Sequence, residues 1–224
     1  MYFSENVDLG EYTYKSSYSI KYVLSGEERY SVQGREMIIK PNQHLLVNNN
    51  SKVTTLPSYG KAISLFIAPE TLIDVKQLKQ ANSLNNILDN YNSISEVPFQ
   101  FMERTYSNEN INVKRILKQI SSVLSRNIYL GNHEVDPSFF FHLSEAILLD
   151  QQLHASRLSH LTSVKKSTIQ EQYNRLLIGY EFLNDNWNQP FSLKKTASIS
   201  MLSPYHFHRL FLKCFLQTPY QYHL

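Results

Sequence analysis

Between Phe191 and Leu224 stand four cations, Lys194, Lys195, Arg209 and Lys213, with His206 and His208 among them and no Asp or Glu. Without those four the chain holds 18 basic residues against 19 acidic ones. The positive charge therefore sits in the last thirty-odd residues, and such a patch neutralises phosphates. Lysines do this without reading sequence. An arginine can do more, because its guanidinium takes guanine O6 and N7 together, worth about 1–3 kcal/mol of discrimination. Charge alone also allows a helical hairpin with a solvated basic face, and Arg209 pairing with Glu171 or Glu181.

The elements that must carry these groups are short helices. Ser192 suits a helix cap, and the helix runs to about Ile199. Ser203-Pro204 caps and opens a second helix, with proline where its missing N–H costs nothing. Phe207, Leu210, Phe211 and Cys214 recur on one apolar face of it. Thr218-Pro219 announces a third. Two short helices joined by a tight turn form the unit whose second helix enters the DNA major groove. Upstream, a helix from Ser167 lines Tyr173, Leu176, Leu177, Tyr180, Leu183 and Trp187 along one side, and Asn188-Gln189-Pro190 stops it.

The run LSPYHFHRLFLKCFLQTPYQY, from Leu202 to Tyr222, resembles the first helix-turn-helix of the AraC family of bacterial transcription regulators. The resemblance implies that Tyr205, His208 and Arg209 touch bases and that Phe207, Leu210, Phe211 and Phe215 face inward. Lys194, Lys195 and Lys213 would bind phosphate without reading sequence, and Ser203 joins the DNA-binding candidates. His206 and His208 could donate to phosphates or bases, or stand as neutral surface histidines, His206 above all. The resemblance also implies that the Ser167 helix buttresses the two that follow.

Four positions depart from the family pattern. Met201 stands in the turn where Gly or Cys is frequent, and Thr196 where Leu is usual. Leu212 replaces a common Lys. Leu216 replaces the Gly that ends the recognition helix in a left-handed cap, at a cost on the order of 1 kcal/mol. The family continues past TPYQY into a second helix-turn-helix. Here six residues run from Pro219 to Leu224, about 9 Å of helix. One head of two is expected, which makes a truncated regulator with weak or no DNA binding the first alternative function.

Residues 1 to about 67 read as strands: Tyr18–Leu24, Glu28–Val32, Glu36–Lys40, His44–Val47 and Ala62–Ile67, separated by turn residues. Ser25-Gly26 reads as the end of the first. YVLSGEERYSVQGREMIIKPNQHLLV looks like the cupin half-barrel that precedes the DNA-binding part in many AraC-family members. Tyr18, Tyr22, Tyr30 and His44 could line a polar-aromatic cavity for a small molecule, or simply fill core and rim. Phe99–Tyr106 reads as a returning strand, and Thr71–Lys79 as a helix. Two amphipathic helices follow, Asn112–Tyr129 and one opening at Asp136-Pro137, as a dimer interface, an intrachain hairpin, or both.

The expectation is an α+β chain in three parts: a cupin-like, jelly-roll ligand-sensing barrel over 1–108, a helical dimerisation segment over 109–160, and an all-α helix-turn-helix domain over 161–224. Cys214 is the single cysteine, which excludes an internal disulfide and fits a reducing cytosol. No apolar run reaches the length of a membrane span and no secretion signal is visible, so a cytoplasmic protein is expected. A cupin enzyme would need His-x-His, Glu and His inside the barrel. The segment up to Ile67 holds only His44, and His206-x-His208 diverge by about 200° on a helix. No catalytic residues, metal or cofactor are expected, and a non-regulatory cupin-type enzyme is the alternative of another class. The implied partners are double-stranded DNA, an unidentified effector such as a sugar, a second copy through residues 112–155, and RNA polymerase.

Overall fold

The computed structural model describes residues 2–5, 10–83, 99–107, 110–126, 136–161 and 165–224. They form an antiparallel sheet and several helices. The chain divides into two compact units, Met1–Leu149 and Asp150–Leu224.

In the first unit the strands are β1 (Tyr2–Glu5), β2 (Tyr12–Lys15), β3 (Tyr18–Val32), β4 (Arg35–Ile39), β5 (His44–Val47), β6 (Lys52–Ile67) and β7 (Thr105–Tyr106). β3 and β6 are long and pair from Tyr18↔Ile67 to Val32↔Val53. The first half of β3 also pairs with β5, and its second half with β4. β1 adds to one end of β6 and β2 to the other.

The expected break at Ser25-Gly26 is not a turn. It is an irregularity inside one strand, where the register slips between Val23 and Ser25 and again between Glu27 and Arg29. Gly26 lies opposite Gly60 there. A Cβ on Gly26 would stand 2.2 Å from the Tyr59 carbonyl oxygen, and its φ is +73°, so only glycine lets the strands approach this closely. The long run Phe99–Tyr106 contributes only the two-residue β7.

The slip at Leu24 shifts the two-residue alternation by one, so even-numbered residues change face. Tyr18, Ile20 and Tyr22 join Leu46, Ile63, Leu65 and Ile67 in one core. That core packs on Leu72 and Val75 of α1 (Pro69–Ser83), Val113, Leu117 and Ile120 of α2 (Ile111–Arg126), and Leu143, Ile147 and Leu148 of α3 (Pro137–Ser159). Val23, Tyr30, Val32, Ile39, Leu45, Val47 and Val53 form a second core on the other face. α3 opens as expected at Asp136, whose carboxylate accepts from the Ser138 N–H at 2.9 Å. The end of the expected helix Asn112–Tyr129, residues 127–129, lies outside the described residues. No helix among the described residues is long and apolar enough to cross a membrane.

Candidate nucleic-acid interface

The second unit holds α4 (Lys166–Asp185), α5 (Leu193–Ile199), α6 (Pro204–Phe215) and α7 (Pro219–His223). Tyr173, Leu176, Leu177, Tyr180 and Leu183 are buried along α4. Trp187, expected on the same stripe, lies past the helix end and is 74% exposed. The helix stops before the periodicity reaches it.

Local chemistry sets both short helices. The Ser192 hydroxyl accepts from the Lys195 N–H at 3.3 Å, and Ser203 accepts from the His206 N–H at 3.2 Å. Each satisfies a donor that the helix start leaves without a partner. Thr218 and Gln221 form a reciprocal capping box on α7. Thr196 is fully buried, and its hydroxyl donates to the Ser192 carbonyl at 3.0 Å. A hydroxyl at this core position is thus satisfied within its own helix.

α6 turns Phe207, Leu210, Phe211 and Cys214 inward. Phe215 is half-buried and stacks on Tyr180 with centroids 4.7 Å apart and planes 3° apart. Burial pushes the Cys214 thiol up to about 12, so it stays protonated near neutral pH. Gly179 of α4 lets the helices meet, since a Cβ there would lie 2.2 Å from Ser200 Oγ and 2.3 Å from Phe207 Cε2. The Tyr222 hydroxyl donates to Asn184 Oδ1 at 2.8 Å and fixes α7 against α4.

The outward face of α6 carries Tyr205, 76% exposed, with Arg209, whose guanidinium carbon lies 6.0 Å from the Tyr205 ring. Arg209 is not taken up by Glu171, which pairs with Arg175 at i,i+4. His208 is half-exposed, and Lys213, Lys194 and Lys195 are exposed. His206 is different. It turns partly inward, and burial, with Arg209 nearby, lowers its pKa below the usual histidine value. Its charged form is thereby disfavoured. The Ser203 hydroxyl is engaged in its cap.

Among the described residues of the second unit, two left-handed positions lack glycine. Met201 has φ +53° in the turn, and Leu216 has φ +57° at the end of α6. Leu216 is 76% exposed, so no packing compensates it. A left-handed non-glycine costs about 1–2 kcal/mol, and the extra freedom of an unfolded glycine returns about 0.4–1. Leu216→Gly should raise stability by roughly 0.5–1 kcal/mol and the melting temperature by a few degrees. A lower melting temperature would contradict the strained cap.

In the first unit the four expected ligand residues do not share one surface. Tyr18, Tyr22 and His44 are buried on the face that meets α1 and α2, and Tyr30 lies in the opposite core. The Tyr18 hydroxyl donates to the Phe99 carbonyl at 2.8 Å, and the Tyr30 hydroxyl donates to the Glu28 carboxylate. His44 stacks on Tyr106 with centroids 5.4 Å apart.

Beside Tyr30 stands a residue the sequence did not single out. Lys21 is 2% exposed, donates to Ser64 Oγ at 3.2 Å, and has its ammonium 4.4 Å from the Phe66 ring centre. Burial lowers its pKa to about 8, opposed by the nearby Glu28 charge. A lysine inside the run SIKYVL was the available signal. Only the slipped register places it with Glu28 and Tyr30. Among the described residues no three His, Cys, Asp or Glu side chains come together as metal ligands would.

No family model matches the chain, and no curated protein matches it. Solved structures similar to it in part include the AraC-like transcriptional activator CuxR, with 13% identity over 90% of this chain and 67% of that one, and a TM-score of 0.37. Another is wild-type ToxT from Vibrio cholerae strain SCE256 with an unsaturated fatty acid bound, with 12% identity over 99% of this chain and 94% of that one, and a TM-score of 0.24.

Proposed function

We propose that this chain is a sequence-specific DNA-binding transcription regulator of the AraC type, with α5 and α6 as its helix-turn-helix and α6 as the recognition helix. One observation carries the reading. α6 buries Phe207, Leu210 and Phe211 against its support and leaves Tyr205 and Arg209 exposed, in a segment with no carboxylate side chain. A helix so held can enter a groove lined by phosphates without repulsion. In this account Tyr205, His208 and Arg209 meet base edges, and Lys194, Lys195 and Lys213 meet phosphates. His206 packs beneath them, and Ser203 presents its cap at the helix start.

The first unit is proposed as the effector sensor, a cupin-like module. The cluster of Lys21, Glu28, Tyr30 and Ser64 supports this. A buried ammonium costs stability that an apolar residue would not, and such groups gather at binding sites. Tyr18, Tyr22 and His44 would act from the opposite face, by coupling the sheet to α1 and α2. Residues 112–155 are proposed to join two copies, which would present two recognition helices to one operator and the pair to RNA polymerase. The setting would be the bacterial cytoplasm.

Arg209→Ala tests the head. For a duplex selected by the wild-type protein, affinity should fall by about 1–3 kcal/mol while affinity for random DNA stays unchanged. Lys194→Ala or Lys195→Ala should weaken both duplexes alike and lower the salt slope by about one. Anisotropy titrations at two salt concentrations separate these outcomes. An Arg209→Ala protein that keeps its preference would refute base contact by this residue.

A further inference from the structure

We propose that the last turns of α3, from Asp150 to Ser159, are a working part of the DNA-reading head, in which His154 and Arg157 are positioning residues for the recognition helix. This rests on the DNA-binding function proposed above. From sequence these residues belong to the middle, dimerising segment. In the structure the second compact unit begins at Asp150.

The contacts are specific. His154 is 1% exposed, and its Nδ1 lies 2.7 Å from the Tyr173 hydroxyl of α4. The two rings meet edge to face, with centroids 5.8 Å apart. One turn on, the Arg157 guanidinium carbon stands 4.6 Å from the Phe215 ring centre and 6.0 Å from that of Tyr180. Phe215 and Tyr180 are themselves stacked, so one cation caps an aromatic pair that joins α6 to α4. The Arg157 carbonyl also accepts the Cys214 thiol at 3.7 Å.

Both α6 residues involved lie in its last turn. That is the negative end of the helix dipole, where a cation is favourable. The geometry therefore clamps the C-terminal end of α6, while the Ser203 cap sets its N-terminal end. A recognition helix must be fixed at both ends to hold Tyr205 and Arg209 in register with base edges, because small misplacements remove bidentate contacts. Tyr180 of α4 and Tyr222 of α7 also meet Phe215, and Arg157 adds a cation over that ring.

The test uses the full chain with Arg157→Met, which keeps the apolar stem and removes the planar cation, and His154→Phe, which keeps the ring and removes the hydrogen bond. Arg157→Lys keeps the charge without the stacking plane. Circular dichroism below the melting transition establishes that each variant is folded. Two readouts follow: affinity for a wild-type-selected duplex against random DNA, and the rate of Cys214 labelling by a thiol reagent.

The clamp predicts that Arg157→Met loses about tenfold in specific affinity with random-DNA affinity unchanged. It also predicts clearly faster labelling of Cys214, with Arg157→Lys in between. General destabilisation would lower the active fraction for both duplexes equally and leave their ratio unchanged, and that outcome overturns the proposal. So does unchanged labelling together with unchanged preference. A wild-type protein with no sequence preference refutes the DNA-reading function itself, and the positioning role falls with it. The labelling rate would still show separately whether Arg157 holds α6.

Discussion

Acidification from pH 7 to pH 4 should cost the first unit on the order of 3 kcal/mol through His44 alone. The side chain is fully buried, with its Nε2 3.3 Å from Asn110 Nδ2 and no hydrogen-bond partner for Nδ1 among the described residues. Burial, helped by the positive charges of Arg104 and Lys114, drives its pKa down to about 3 from 6.5. The folded pKa is depressed below the unfolded one, so on acidification the unfolded chain takes up the proton first. The stability is fully present above about pH 6.5 and is lost progressively as the pH falls toward 3. Domains hold only about 5–15 kcal/mol in total, so the loss is large.

His44→Gln keeps an acceptor for Asn110 and removes the titration. Urea unfolding followed by circular dichroism at pH 7, 5.5 and 4 should show a much shallower decline in the variant. Parallel declines in both proteins would contradict a neutral, buried His44.

Gly179→Ala should destabilise the second unit by about 2 kcal/mol. Its Cβ would press on Ser200 Oγ at 2.2 Å and on Phe207 Cε2 at 2.3 Å, and both neighbours are fully buried. Overpacking of this kind costs about 1–3 kcal/mol, toward the upper end where neighbours cannot move. The better helix propensity of alanine returns at most about 1 kcal/mol. The single tryptophan, Trp187, lies in this unit and reports its melting by fluorescence. Ile178→Ala, one residue earlier and partly exposed, is the control and should shift the transition less. A Gly179→Ala protein that melts at or above the wild-type temperature would contradict the close approach of α4 to the turn and α6.

What was legible in the sequence is what local chemistry determines. Ser192, Ser203 and Thr218 cap helices by bonds to residues three positions on, so their types and spacing were sufficient. The inward face of α6 followed from periodicity alone. The sheet was less legible. One irregularity at Leu24 is invisible in composition, yet it decides that Tyr22 and Tyr30 face opposite cores and that Lys21 joins Glu28 and Tyr30. Alternation carried across that point assigns the wrong faces.

Gly179, His154 and Arg157 were missed for another reason. Their roles depend on partners such as Phe207, Tyr173 and Phe215, which lie 28, 19 and 58 positions away in the chain and carry no local signal. Trp187 shows the reverse error, a periodicity that continues two residues past the end of its helix.

If α6 is a recognition helix, the purified protein must distinguish one DNA sequence from another. Selection of duplexes from a random library by the purified wild-type protein tests this most directly, followed by anisotropy of the enriched duplex against a shuffled one at two salt concentrations. A defined motif should be recovered, bound at least about tenfold more tightly than its shuffled form, with binding to both weakened by salt. Failure to enrich any motif, with equal binding to both duplexes, would contradict sequence reading by α6.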